Sequence, residues 1–375
     1  MKIGVDARPL SYQLTGIGVY LRHLLDELQE IDDRNDYYLI SNGPIDYALK
    51  NPRWTKFAGR LSRKLVSTLW MQINVPLIAA KLNFDLFWAS RHHLPLLLSP
   101  EIKTVVTVHD VVNRIYPGTM ALPNLLAERL LMKLSLKRSA AVIADSRSTA
   151  ADIKKQFRIS DEKLNTIHLG TPQFPKKFKR DREQNSVVPG KYFLFVGTLD
   201  PRKNFERLFK AFEMLGPSSR GLHLVIIGGE GWKNKKFLKM LRTHPLKTHL
   251  HMTGYLPRDQ LSSYYENAIC LIFPSLYEGF GLPILEAMSC GAPVITSNTS
   301  SMPEVAGDAA LLVNPYDTSA IVDAMNNLVS DKQLRERLIS KGFERVKQFS
   351  WKKCAEETLR VFNRVGKEGS EWKRR

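Results

Sequence analysis

Along this chain, short and almost unbroken apolar runs alternate with longer segments that are apolar at every third or fourth position. In the first half, KIGVDAR (2–8) predicts a strand. VYLRHLLDELQEI (19–31) predicts a helix with Leu21, Leu24, Leu25 and Leu28 on one face. DYYLIS, FDLFWAS, KTVVTVHD and AAVIADS predict further strands. The rhythm is cleaner in the second half, where YFLFVGT, LHLVIIGG, LHMTGYL, ICLIFPS and APVITS are each followed by a loop and a helical segment. Strands that are apolar on both faces and alternate with helices belong in parallel sheets covered on both sides. A stretch rich in proline and charge, TPQFPKKFKRDREQNSVVPG (171–190), predicts a linker between the halves. The expected fold class is α/β, with two doubly wound, Rossmann-like domains facing a central cleft. Ligands of such sheets sit beyond the carboxyl ends of the strands, so the informative residues are those just after each one.

Length and composition agree with this picture. A chain of 375 residues exceeds one typical core, and 43% hydrophobic with 25% charged residues is ordinary for a globular protein. No apolar run reaches the about 18 residues a membrane span needs, and the sequence opens directly on a strand. Neither a signal peptide nor a transmembrane helix is expected, and the expected location is cytoplasmic. Cys270, Cys290 and Cys354 are scattered, with no CxxC spacing, as reduced core thiols would be. The net charge of +18 is the departure from the ordinary. It calls for an anionic partner, whether nucleic acid, an acidic membrane surface or a phosphorylated substrate.

Three strand ends carry candidate chemistry. After ICLIFPS comes LYEGFGLPILE, where Gly279 and Gly281 let a ligand approach the backbone and Pro283 opens a helix. The free N–H groups of that helix start suit a phosphate. Glu278 and Glu286 cannot bind phosphate, so they are assigned to sugar hydroxyls, with Glu286 suited to a ribose diol. A purely electrostatic role at the helix start is the alternative. After YFLFVGT, the loop LDPRKN places Arg202 and Lys203 where they would neutralise a diphosphate, although a solvated basic turn would read the same. In the first half, Gly16 and Gly18 precede a helix, short of a full GxGxxG because position 21 is leucine. His109 ends TVVTVH, placed to donate to a sugar hydroxyl or to hold the structure locally. No DxD motif or metal-ligand spacing occurs, so no metal or other cofactor is expected.

Taken in order, EGFGLPILE (the E-x7-E element), GTLDPRKN, the Gly16 loop and His109 resemble glycosyltransferase family 4, a retaining, metal-independent family of the GT-B fold. The resemblance covers nearly the whole chain and implies three parts. These are an acceptor-binding domain over 1–175, a nucleotide-sugar-binding domain over 190–348, and a C-terminal helix over 349–366 crossing back to the first domain. It implies that Glu286 binds the ribose and Glu278 the transferred sugar. Backbone amides of Phe280, Gly281 and Leu282 would reach sugar and phosphate, and Arg202 with Lys203 would grip the diphosphate. Gly16 would close on it, with His109 near the reacting carbon, while Gly254, Tyr255 and Leu256 would line the base. Many members carry arginine after the glycine at position 197, where this chain has Thr198. Either Arg202 supplies that charge or Thr198 substitutes a hydrogen bond. The form GTLDPRKN resembles the branch of bacterial O-antigen and surface-polysaccharide mannosyltransferases. That branch suggests transfer of mannose from GDP-mannose to a glycan on a lipid diphosphate carrier.

The excess charge fits that acceptor. In RWTKFAGRLSRKLVSTLW (53–70), Arg53, Lys56, Arg60, Arg63 and Lys64 interleave with Trp54 and Phe57. At helical spacing they make one basic and one apolar face, suited to peripheral docking on the inner face of an anionic membrane. A core-packed helix with a solvated basic rim is the alternative. Rival functions are a UDP-sugar-dependent transferase, a nucleotide-sugar epimerase, and a phosphorylase, for which no pyridoxal-phosphate lysine site is evident. A basic nucleic-acid-binding protein is another class, but no nucleic-acid module signature is present, so nucleic acid is not an expected partner.

Overall fold

The computed structural model describes residues 1–11, 16–59, 64–119, 122–174, 188, 190–216, 220–231 and 235–372. Most of the expected linker, and Arg60 and Arg63, lie outside the described residues.

Two compact units emerge: Met1–Arg114 with Leu122–Gly170 and Ser350–Arg375, and Ile115–Ala121 with Thr171–Phe349. The first holds a seven-stranded sheet of β1 (Lys2–Asp6), β2 (Asp36–Ser41), β3 (Trp54–Ala58), β4 (Leu86–Ala89), β5 (Lys103–Val108), β6 (Ala141–Ala144) and β7 (Leu164–Thr166), in the order β3-β2-β1-β4-β5-β6-β7. Every pairing is parallel. The helices are α1 (Gly16–Ile31), α2 (Lys64–Leu82), α3 (Val112–Ile115), α4 (Leu122–Arg138) and α5 (Arg147–Phe157). Strand order reverses between β1 and β4, the kind of switch point where doubly wound sheets place ligands. Gly16 is exposed and Gly18 buried, and both lie within the first turn of α1 rather than in a loop before it.

The second unit holds β8 (Lys191–Val196), β9 (Leu222–Ile227), β10 (Leu250–Gly254), β11 (Cys270–Phe273), β12 (Val294–Ser297) and β13 (Leu311–Val313), in the order β10-β9-β8-β11-β12-β13, again all parallel. Its helices are α6 (Phe205–Met214), α7 (Lys235–Thr243), α8 (Arg258–Asn267), α9 (Leu282–Ser289), α10 (Met302–Ala306), α11 (Thr318–Ser330) and α12 (Lys332–Val346). Phe193, Phe195 and Leu224 from the sheet meet Leu208, Phe212 and Met325 from α6 and α11 in one dry cluster. Such burial is the main driving force for the layer. Tyr116 belongs to this unit, its hydroxyl 2.9 Å from that of Tyr316.

The last helix, α13 (Trp351–Trp372), belongs to the first unit and packs on α1. Trp351 stacks on His23 with ring centroids 5.1 Å apart, and Phe362 lies 5.3 Å from Trp88. Gly170 lies so close that an added Cβ would come within 2.3 Å of the Trp351 ring.

The amphipathic helix expected over 53–70 is not what the chain forms. Trp54–Ala58 is the edge strand β3, paired in register with β2, and α2 begins only at Lys64. Trp54 is buried and stacked on Tyr37 at 4.3 Å, while Arg53 pairs with Asp36 at 3.0 Å. Trp54 therefore fills the core beside β2 instead of facing a membrane, and Phe57 is half-buried on the strand with Lys56 exposed beside it. The physical reason lies in Gly59, whose amide donates to the Ser41 carbonyl at 2.8 Å. A Cβ on Gly59 would meet the Asn42 carbonyl oxygen at 2.6 Å, so the chain there runs hard against its neighbouring strand. Aromatic and β-branched residues on the preceding stretch favour that pairing.

Candidate active site

The site in the second unit begins where β8 ends. Pro201–Lys203 form one 3-10 turn, and Asn204 then adopts a left-handed conformation before α6. Its buried amide donates to the carbonyls of Pro274 (3.0 Å) and Pro315 (2.7 Å), tying the turn to the ends of two other strands. The turn thereby presents Arg202 and Lys203 to the loop after β11. Arg202 donates to Glu278 Oε2 at 2.8 Å and to the Tyr277 carbonyl at 3.1 Å. Lys203 Nζ donates to Glu278 Oε1 at 2.6 Å and lies 4.8 Å from the centre of the Phe273 ring.

Three charges thus meet in a nearly dry place, and the carboxylate is the common partner. Burial alone would push Glu278 upward, but the two cations and the hydrogen bond from Lys203 outweigh it and hold the carboxyl at about 2. Lys203 is treated differently. Its burial outweighs the attraction of Glu278, with Arg202 adding repulsion, so its ammonium sits below its usual range.

The loop between Glu278 and α9 is held in turn by hydroxyls. Ser300 Oγ donates to the Glu278 carbonyl at 2.6 Å, and Ser301 Oγ donates to the carbonyls of Glu278 (2.9 Å) and Phe280 (2.8 Å). Phe280 turns its ring inward, 5.8 Å from Phe349. Gly281 precedes α9 with φ +109°, a backbone that side-chain-bearing residues rarely adopt. No side chain caps the helix that follows, and Pro283 sits in its first turn. Leu282 is buried at the first helical position. One turn on, Glu286 is buried and accepts from Arg258 (2.9 Å) and from the Tyr265 hydroxyl (2.9 Å). The guanidinium of Arg258 lies 4.9 Å from the Phe174 ring centre.

Tyr255 is exposed and Leu256 half-buried in the segment that joins β10 to Arg258, so this segment leads directly to the partner of Glu286. Thr198 is exposed, two residues past the end of β8. Both carboxylates are thus bound to cations of this unit, which the sequence reading had not paired with them. Arg258, Tyr265, Ser300 and Ser301 were likewise missed. The one available signal was their position just after, or one element away from, a strand end. A cavity of about 280 Å³ lined by Asn267, Pro293 and Arg335 contains none of these groups and lies at the opposite, amino-terminal edge of the sheet.

In the first unit, His109 follows β5 and is buried. Its Nδ1 lies 2.6 Å from Asp145 Oδ2 and its Nε2 lies 2.9 Å from the Ser90 carbonyl. Both partners are acceptors, so the geometry favours a ring protonated on both nitrogens. Burial opposes that charge, but Asp145 and the Ser90 carbonyl overcome it and raise the ring above its usual range. Tyr20 from α1 packs against the ring in a T-shaped contact with centroids 4.9 Å apart, and the His109 backbone N–H donates to His92 Nε2 at 3.2 Å. Gly16 and Gly18 belong to this unit as well. Among the described residues, no three His, Cys, Asp or Glu side chains form a group that could hold a metal ion.

Comparison with known proteins accounts for both units. The family profile for Glycosyltransferase Family 4 matches residues 14–172, and that for Glycosyl transferases group 1 matches 177–345. The O-antigen chain mannosyltransferase B of Escherichia coli is 27% identical over 96% of this chain and 99% of its own. The O-antigen chain mannosyltransferase RfbU of Salmonella typhimurium is 29% identical over 86% of this chain and 90% of its own. Sucrose-phosphate synthase from Thermosynechococcus elongatus superposes with a TM-score of 0.80 at 20% identity, covering 97% of this chain and 98% of that one. Anabaena HepE in complex with UDP-glucose gives 0.71 at 18% identity, covering 97% and 99%. These likenesses give the fold as GT-B. With one profile on each unit and full-length relatives on both sides, the chain belongs to the family 4 and group 1 glycosyltransferases.

Proposed function

We propose that this glycosyltransferase moves mannose, with retention, from GDP-mannose to a glycan acceptor on a lipid diphosphate carrier, in the assembly of an O-antigen or related surface polysaccharide. The observation that carries the reading is the junction of Arg202, Lys203 and Glu278 beside the glycine turn that opens α9. Two cations and a helix start suit a diphosphate, and two carboxylates, one in the loop before α9 and one within it, suit hydroxyls. Without donor, Glu278 acts as the internal counter-ion of the two cations. A diphosphate would take over that role and free the carboxylate for the sugar. Glu286 would likewise exchange Arg258 or Tyr265 for ribose hydroxyls.

In the step itself, the bond between the anomeric carbon and the diphosphate oxygen breaks as Arg202 and Lys203 stabilise the charge growing on that oxygen. The acceptor hydroxyl attacks from the same face and gives its proton to the departing diphosphate. His109, its charged form favoured by Asp145, would lie near the reacting sugar. The chain's own cations supply the positive charge, so transfer is expected to continue in EDTA. The relatives named as mannosyltransferases support the sugar and the pathway class. A lipid-linked acceptor would bring the enzyme to a membrane surface as a peripheral protein. Among the described residues, no helix is long and apolar enough to cross one.

The test is thermal stabilisation by a panel of nucleotide sugars in EDTA, with Glu286→Ala beside the wild type. Stabilisation by GDP and GDP-mannose that weakens at least roughly 30-fold in apparent affinity in the variant supports the proposal, since losing one partner of a buried charged contact costs about 2 kcal/mol or more. Preference for UDP-sugars changes the donor. No response to any nucleotide overturns the reading.

A further inference from the structure

We propose that the face formed by α2, the 94–98 loop and α4 of the first unit docks on an anionic lipid bilayer. The large hydrophobic residues exposed among the described residues of that unit all fall on these three elements. On α2, Leu69, Ile73 and Leu77 repeat every four residues and form one outward stripe, Leu77 being 66% exposed. On α4, Leu126, Leu130 and Leu134 do the same, with Leu130 58% exposed. Leu96 and Leu97 lie in the loop, and Leu97 is 74% exposed.

The loop ties the two stripes into one surface. Gln72 of α2 donates to the Leu94 carbonyl at 3.1 Å and accepts from the Leu96 amide at 2.7 Å. Ser135 of α4 accepts from the Leu94 amide at 2.8 Å, and Arg138 donates to the carbonyls of Pro95, Leu96 and Leu98. Leu96 and Leu97 are thus pinned between the leucine rows from both sides.

The charges argue for the occupant. Lys133 and Lys137 are exposed on the same side of α4 as Leu126 and Leu130, and exposed Lys81 closes the α2 stripe. α2 contains no acid, and the one acid of α4, Glu128, is spent on His93 at 2.6 Å. The one acid of the connecting loop region, Glu101, follows Leu98 where the chain enters β5. Leucine rows edged by lysine fit acyl chains below and anionic headgroups around them. The basic stretch 53–64 is replaced in this role by helices that present their apolar residues outward.

This proposal deepens the reading of a lipid-linked acceptor, and its test uses neither donor nor acceptor. The full chain is sedimented with vesicles of phosphatidylcholine, with and without phosphatidylglycerol. Leu97→Glu/Leu130→Glu and Lys133→Glu/Lys137→Glu are compared with the wild type, and circular dichroism with thermal unfolding checks the fold of each. Expected is binding to phosphatidylglycerol vesicles that weakens in salt and drops at least tenfold in both variants. Equal binding by wild type and variants overturns the proposal. So does a wild-type dimer that Leu97→Glu/Leu130→Glu converts to monomer without any vesicle binding, which would make the face an interface between copies. Transfer to a water-soluble acceptor reports on the glycosyltransferase reading separately.

Discussion

Replacing Glu278 with glutamine tests the charge balance of the site directly. The substitution keeps the shape and removes the anion, leaving Arg202 and Lys203 facing each other in a buried place. The carboxyl is held at about 2 against an ordinary 4.5. At 1.36 kcal/mol per pH unit, its ionisation is worth about 3 kcal/mol to the folded state, part of which the burial of Lys203 offsets. The sign follows from the depressed value. The contribution is full above pH 4.5 and fades as pH falls from there through about 2. Urea unfolding at pH 7 should therefore show Glu278→Gln less stable than wild type by about 2–3 kcal/mol, with the gap closing as the pH drops below 4.5. Nucleoside diphosphate should reverse part of the loss, because it restores the missing negative charge. Its stabilising effect should be larger in the variant than in the wild type, where the phosphates must displace Glu278. A variant as stable as the wild type at pH 7, or one that a diphosphate stabilises no more than the wild type, would refute the reasoning.

Asp145→Asn should lower the pH at which His109 deprotonates, read from its imidazole NMR signal, and shift the alkaline limb of any activity profile the same way. Because the folded value lies above 6.5, the stability that Asp145 lends through His109 is full below pH 6.5 and lost as pH rises through the folded value. The stability gap between wild type and variant should narrow over that range. Trp351→Ala removes a buried ring stacked on His23 and should cost about 3–5 kcal/mol by chemical denaturation. Gly170→Ala should also destabilise the first unit, since the new methyl would collide with Trp351, and the double variant should be less destabilised than the two single losses together.

The strands β2, β8, β9, β11 and β12 were legible because each is an apolar run with no competing period. The short edge strands β3, β7 and β13 were not: β3 and β7 mix polar with apolar residues, and the three apolar residues of β13 are too few to carry a pattern. At the site, the residue types after β8 and β11 were readable one by one. Their pairing was not, since Lys203 and Glu278 stand 75 positions apart and Arg258 and Glu286 28 apart. Such contacts arise from the strand order, which places β11 beside β8, and local spacing holds no record of it. His109 was visible as a strand-terminal histidine, but its charge comes from Asp145 at the end of a neighbouring strand.

The placement of α13 bears on how the chain is made. Apart from Ile115–Ala121, the second unit is one continuous stretch, whereas the first draws its last helix from residues that follow the whole of the second. Phe362 and Trp351 close over Trp88 and Tyr20, so that side of the first sheet stays uncovered during most of synthesis. Translation order and folding order should therefore be inverted here, because the half that leaves the ribosome first receives its last helix only at the end. A chain ended after Phe349 should yield to protease in its amino-terminal half while 190–348 resists, and the reverse pattern would dismiss the inversion.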